Sequence, residues 1–292
     1  MKLNKIILLV MLSSVLLIAG CEVDNGGDNG VQTGGVGGAA TDSPQRGVEL
    51  DFSDGNPGSE IYAGENNNFA FIFRNHQEHR IEDLELEIGG FDRGYVSGLS
   101  ESYSVDEIPA ASQAAGEGVY TGLVEEGVVV EGFSGNSYSM NPRYRYCYSA
   151  SSFHEESICV PDVRNQCDID VEEEGSANGH LGIDITRINS LDNSVRVEMR
   201  ITNQGDGQVV NECFETDDFS INYDIEANLG SESGDCSPVG TDDFVLSGGE
   251  RGTVQCEFSR TSDDSYSSQI SVDLDYRYQQ EERKNLRVVN LD

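Results

Sequence analysis

The side chains able to do chemistry in this 292-residue chain are few, apart from its 53 carboxylates. Four histidines occur, His76, His79, His154 and His180. The run His76-Gln77-Glu78-His79 has neither the H-E-x-x-H nor the H-x-x-E-H spacing that zinc hydrolysis requires, and it reads as a solvated turn between strands. His154 and His180 fall in polar stretches that read as loops. A serine nucleophile needs a strained strand-to-helix turn of the G-x-S-x-G kind, and that sequence is absent. Asp168 with Asp170, and Asp273 with Asp275, are spaced two apart, so each pair shares one strand face. In so acidic a chain such pairs are the ordinary content of a solvated face. Hard oxygen ligands for calcium are offered by Asp206, in the turn after Asn203, and by Asp217 with Asp218, although no loop has EF-hand spacing. We therefore expect no catalytic residue, no cofactor and no resident metal. A hydrolase is the least favoured reading.

The N-terminus carries the sharpest local signal. Lys2 and Lys5 precede an apolar or small run from Ile6 to Ala19, the anatomy of an export signal. That run is too short for the ~20 residues that span a bilayer as a helix. Leu17-Ile18-Ala19-Gly20-Cys21 looks like a lipobox, which implies a signal peptide over 1–20 and lipidation at Cys21. The competing reading is a soluble secreted chain cut at an ordinary site. Of seven cysteines, six remain once Cys21 is set apart: Cys147, Cys159, Cys167, Cys213, Cys236 and Cys256. An even number in an exported chain points to three disulfides among fifteen pairings. Spacing favours Cys147 with Cys159 and Cys236 with Cys256, leaving Cys167 with Cys213.

Charge defines the environment. The chain has a formal charge of −35, and acids outnumber bases in both globular regions, 21 to 6 over 47–165 and 28 to 9 over 166–292. Beyond the signal the only lysine is Lys284, against 15 arginines. Broad acidity with little lysine is a halophile's composition, since carboxylates hold water and cations where salt competes for both. It also excludes nucleic acid as a partner, because phosphate binding needs a basic face.

Residues 21–46 are rich in Gly, Asn, Asp and Thr and hold almost no large apolar side chain, so they read as a flexible linker of roughly 25 to 30 Å. From residue 47 onward the apolar period is two. Phe69, Phe71 and Phe73 alternate with smaller or polar neighbours, as do Val195, Val197, Met199 and Ile201, and Ile270, Val272, Leu274, Tyr276 and Tyr278. Gly, Asn, Asp and Ser clusters separate the runs, and an all-β fold follows. The halves repeat. Phe71-Ile72-Phe73-Arg74-Asn75 matches Met199-Arg200-Ile201-Thr202-Asn203, and Tyr144-Arg145-Tyr146 matches Tyr276-Arg277-Tyr278. Two β-sandwich domains are expected, over 47–165 and 166–292, each Tyr-Arg-Tyr strand being followed by a further strand such as Ile158-Cys159-Val160 or Leu286-Arg287-Val288-Val289. Tyr144, Tyr146 and Tyr148 share one face, read as packing into the core, with an exposed glycan or protein contact as the alternative.

The stretch Val195-Arg196-Val197-Glu198-Met199-Arg200-Ile201-Thr202-Asn203-Gln204-Gly205-Asp206-Gly207 is similar to the strand and Gly-rich turn of immunoglobulin-like domains of the CARDB and NEW3 type. Leu246-Ser247-Gly248-Gly249-Glu250, Cys256 and Leu274-Asp275-Tyr276 resemble their C-terminal half. The resemblance implies tandem immunoglobulin-like domains of an archaeal surface lipoprotein and brings no catalytic residues. The expected protein is non-catalytic and held at the extracellular face of the membrane through lipid on Cys21. It would serve in adhesion, in envelope organisation or as an accessory subunit of a membrane complex, with an envelope protein as partner, or alternatively bind a cation or glycan. The Debye length falls from ~10 Å at 0.1 M salt to ~3 Å at 1 M. We expect melting temperature and circular-dichroism amplitude to fall as salt is lowered from molar to 0.1 M, and a salt-independent melt contradicts the halophile reading.

Overall fold

Alternation of the kind seen at Phe69, Phe71 and Phe73 buries one face of a strand and leaves the other to water. The computed structural model describes residues 47–290 except 54, 78, 112–117, 168–174, 215–223, 241–245 and 247–250, and every regular element among them is a β-strand. The first half contributes β1 (Val48–Phe52), β2 (Glu60–Tyr62), β3 (Asn67–Asn75), β4 (Ile81–Gly89), β5 (Val96–Ser97), β6 (Ser102–Ile108), β7 (Gly118–Val130), β8 (Ser137–Met140) and β9 (Arg143–Val160). The second contributes β10 (Gly175–Asn178), β11 (Leu181–Ser190), β12 (Ser194–Asn203), β13 (Gln208–Val210), β14 (Asp224–Leu229), β15 (Glu232–Ser233), β16 (Asp235–Pro238), β17 (Arg251–Ser259), β18 (Tyr266–Arg283) and β19 (Leu286–Val289).

The sequence repeat has a structural counterpart. One four-stranded sheet runs β1-β3-β7-β5 and another β11-β12-β17-β16, so Phe71 and Met199 occupy equivalent interior strands. The matched tyrosine strands, β9 and β18, pair with each other. They run antiparallel without a break from Arg143 opposite Arg283 to Val160 opposite Tyr266. This pair is the centre of an eight-stranded sheet of order β15-β14-β18-β9-β4-β6, with β10 added on β9 and β13 on β18. A three-stranded sheet, β2-β19-β8, carries the last strand back into the first half, with β19 parallel to β2 and antiparallel to β8.

The sequence boundary at 165/166 follows β9, and strands on either side of it pair with one another. A shared sheet and the returning β19 join them, and Pro44–Asp292 forms one compact unit. Ile158-Cys159-Val160 also proves to be the end of β9 and not a further strand, because β18 pairs along the whole polar run Ser151–Ser157 and β10 pairs with Phe153–Glu156 on the other edge. The inward rows of both halves close a single cluster, in which Tyr144, Tyr146 and Tyr148 are buried as core residues. Phe71 meets Tyr144 and Phe73 meets Tyr146 edge-on at 5.8 and 6.1 Å, locking β3 over β9.

One substitution tests this pairing. Leu274, fully buried on β18, should cost about 2–5 kcal/mol on truncation to Ala. Calorimetry on the Leu274→Ala chain should show one lowered transition for both halves, and two separate transitions would contradict the shared sheet as a cooperative unit.

Candidate functional site

Where β9 and β18 pair, Tyr148 lies opposite Tyr278 and Ala150 opposite Tyr276, and their inward side chains gather a polar network inside the core. His180, in the turn between β10 and β11, is almost fully buried and stacks on the Tyr278 ring at 3.7 Å and 7°. Its Nε2 is 2.8 Å from the Tyr148 hydroxyl, which accepts the Val48 N–H at 3.2 Å and donates to Gln280 Oε1 at 3.2 Å. The His180 N–H donates to the Tyr276 hydroxyl at 3.0 Å, and that hydroxyl lies 2.8 Å from Ser152 Oγ, which accepts the Leu181 N–H at 2.9 Å. Gly207 N–H donates to the Tyr278 hydroxyl at 2.7 Å. Burial pushes the Tyr276 hydroxyl up to about 12, so it stays protonated as a donor. Gly47 is glycine for two reasons: its φ is +97°, and a Cβ would collide with the His180 ring. The network pins the chain start of the β unit, the β10–β11 turn and the β12–β13 turn onto one sheet. Its chemistry is structural.

The opposite face of the same strands is open. A cavity of about 510 Å³ lies over β9 and β18, floored by Ser149, Ala150, Ser151, Asp275, Tyr276 and Arg277. One wall is the β3–β4 turn with His79 and Arg80 together with Glu82 at the start of β4, and the other is Val210, Asn211 and Asp224. Buried Asn75 shapes the first wall. Its Nδ2 donates to the carbonyls of His79 at 2.7 Å and Pro109 at 3.0 Å, and its Oδ1 accepts the Gln77 N–H at 2.9 Å. His79 Nε2 then lies 3.4 Å from Ser151 Oγ. On the second wall Asp224 stands directly opposite Asp275, and two residues along the ladder Glu226 stands opposite Asp273. Partial burial, then the charges of Asp275 and Glu226, raise Asp273 above the usual aspartate range.

The cysteines close in three bridges. Cys236 pairs with Cys256 as spacing predicts, but Cys147 joins Cys213 and Cys159 joins Cys167. Expecting Cys147 with Cys159 was an error with a simple cause. Both lie on β9, twelve residues apart in an extended strand, a separation of roughly 40 Å. Cys147 instead faces outward to Cys213, beyond β13, and Arg145 packs its guanidinium over Phe214 at 5.4 Å beside that bridge.

The remaining sequence candidates are dispersed. Cys21, Asp168, Asp170, Asp217 and Asp218 lie outside the described residues. Asp206 is exposed in a turn that Asn203 closes on itself, through Gly205 N–H to Oδ1 at 3.1 Å and Nδ2 to Gly207 O at 2.9 Å. Among the described residues no group of three or more His, Cys, Asp or Glu side chains is arranged to hold a metal ion. His76 and His79 belong to the turn after β3 but serve different partners, His76 lying 3.3 Å from Glu49 Oε2. His154 is not in a loop: it is buried on the inner face of β9, its Nε2 3.4 Å from Glu156 Oε2. His180 is a core residue despite its polar sequence context. Sequence reasoning missed the cavity because Ser151, Asp275 and Asp224 converge through the pairing of β9 and β14 with β18, and His79 through the turn that Asn75 holds. No family model matches the chain, and no curated protein matches it.

Burial lowers the pKa of His79 from 6.5, and the Asp275 carboxylate opposes that shift. A His with a depressed folded pKa binds its proton more readily when unfolded. Its stabilising contribution is therefore complete above pH 6.5 and is lost as pH falls toward the folded value. An NMR titration should place the His79 midpoint below 6.5, and Asp275→Asn should lower it further. A midpoint that rises in Asp275→Asn contradicts this electrostatic arrangement.

Proposed function

We propose that this chain is a non-catalytic, lipid-anchored surface protein of a halophile, whose β unit acts outside the cell on an envelope partner. The observation that carries the reading is the closure of all six cysteines beyond Cys21 into three disulfides. Persisting disulfides belong to oxidising compartments, and Cys21 is left over for the lipid that the lipobox-like Leu17–Cys21 segment implies. Acidic surface carboxylates opposed in pairs, such as Asp224 with Asp275 and Glu226 with Asp273, support a high-salt environment because their repulsion is relieved by screening. The similarity to CARDB and NEW3 type domains supports an adhesive or organising role on an archaeal envelope.

A second reading, ligand binding, is favoured by the open cavity over β9 and β18. Ser151 and His79 do not by themselves argue for hydrolysis there, since the serine stands in mid-strand on β9 and not on a nucleophile turn.

The anchor is tested by partition. Native chain should follow the membrane fraction with an intact mass above that of residues 21–292, while Cys21→Ser should move it into the soluble fraction. A native mass equal to unmodified 21–292, or membrane retention of Cys21→Ser, contradicts the lipid anchor.

A further inference from the structure

The cavity over the β9–β18 pair concentrates charge of both signs in a chain otherwise dominated by acid. Asp224 and Asp275 stand directly opposite each other on β14 and β18, and a cationic group between them relieves locally the repulsion that salt otherwise screens. Beside them Ser151 Oγ and the His79 imidazole, 3.4 Å apart, add neutral oxygen and nitrogen acceptors. An ammonium group has three donors to distribute, which matches two carboxylates and one neutral acceptor. The same cavity holds two guanidinium groups, Arg80 and Arg277. Their carboxylate neighbours within the fold stand at 3.7 to 3.9 Å, Arg80 being exposed and Arg277 half-buried, so these ion pairs are weak and exchangeable, while Arg277 Nη1 also donates to Cys213 Sγ at 3.2 Å. A ligand carboxylate can take their place through the paired N–H bonds that arginine offers.

We propose that this cavity binds a small zwitterion carrying a primary ammonium and a carboxylate, of the class of free amino acids and short peptides. The ammonium sits between Asp224 and Asp275, and the carboxylate faces Arg80 and Arg277. A volume of about 510 Å³ exceeds what one small amino acid fills and suits a peptide of a few residues. The inference gives a ligand class to the binding reading and is independent of the lipid anchor, which membrane partition tests separately.

The probe is triglycine, titrated calorimetrically into the full chain at constant molar KCl, with N-acetyl-triglycine amide as the doubly blocked control. Triglycine should give saturable heat and the blocked peptide none. Asp275→Asn and Arg277→Gln should each weaken triglycine binding about tenfold or more, with circular dichroism unchanged. A variant with altered circular dichroism is replaced by single blocking of the peptide on the native chain, where N-acetyl-triglycine and triglycine amide should each bind more weakly than triglycine. No saturable heat with triglycine overturns the proposal. So does equal binding of the blocked peptide, or undiminished binding to folded Asp275→Asn.

Discussion

The antiparallel pairing of β9 with β18 is the interaction on which the rest of the structure depends. It joins the two repeated halves backbone to backbone along their longest strands and sets which residues face inward together. Its inner face carries the tyrosine row and the His180 network, where the buried hydroxyls of Tyr148, Tyr276 and Tyr278 find partners that also fasten the flanking turns. Its outer face carries the cavity, whose floor is built from the same two strands. A slip of one residue in this register would exchange the faces, placing Asp275 in the core and Tyr276 in water.

The halves are tied again at the far end of β18. Lys284, the only lysine after Lys5, lies 3.7 Å from the centre of the Phe52 ring and donates to Pro57 O at 3.3 Å. Burial lowers its pKa, and the Asp51 charge works against that shift. The chain then passes into β19, between β2 and β8. Cation–π contact of this kind contributes about 0.5–2 kcal/mol. The exposed ion pairs, such as Arg196 with Glu257 at 3.2 Å and Arg200 with Asp184 at 3.0 Å, contribute less each and serve mainly to intersperse positive charge among carboxylates.

The all-β class and most strand positions were legible in the sequence because period-two alternation records one-sided burial directly. Val195 to Ile201 and Ile270 to Tyr278 occupy strands with the inward residues as expected. The repeat was legible too, and its matched segments take equivalent places in the two four-stranded sheets and the central pair. Two things were hidden. The polar run Ser151–Ser157 lacks alternation, yet it is strand because β18 pairs along all of it and β10 along Phe153–Glu156, and this length is what separates Cys147 from Cys159. The cavity was hidden because the positions that form it are brought together by strand order, which periodicity does not encode.

Native-state hydrogen exchange in molar salt tests the central claim, that one shared ladder makes the halves a single folding unit. The amides of β9 and β18 should exchange only through global unfolding, with β3 and β12 reaching the same limiting free energy on either side. Exchange of β12 and β17 at a distinctly lower free energy than β3 and β7, with β9 protection retained, would show halves that open independently and would contradict the account.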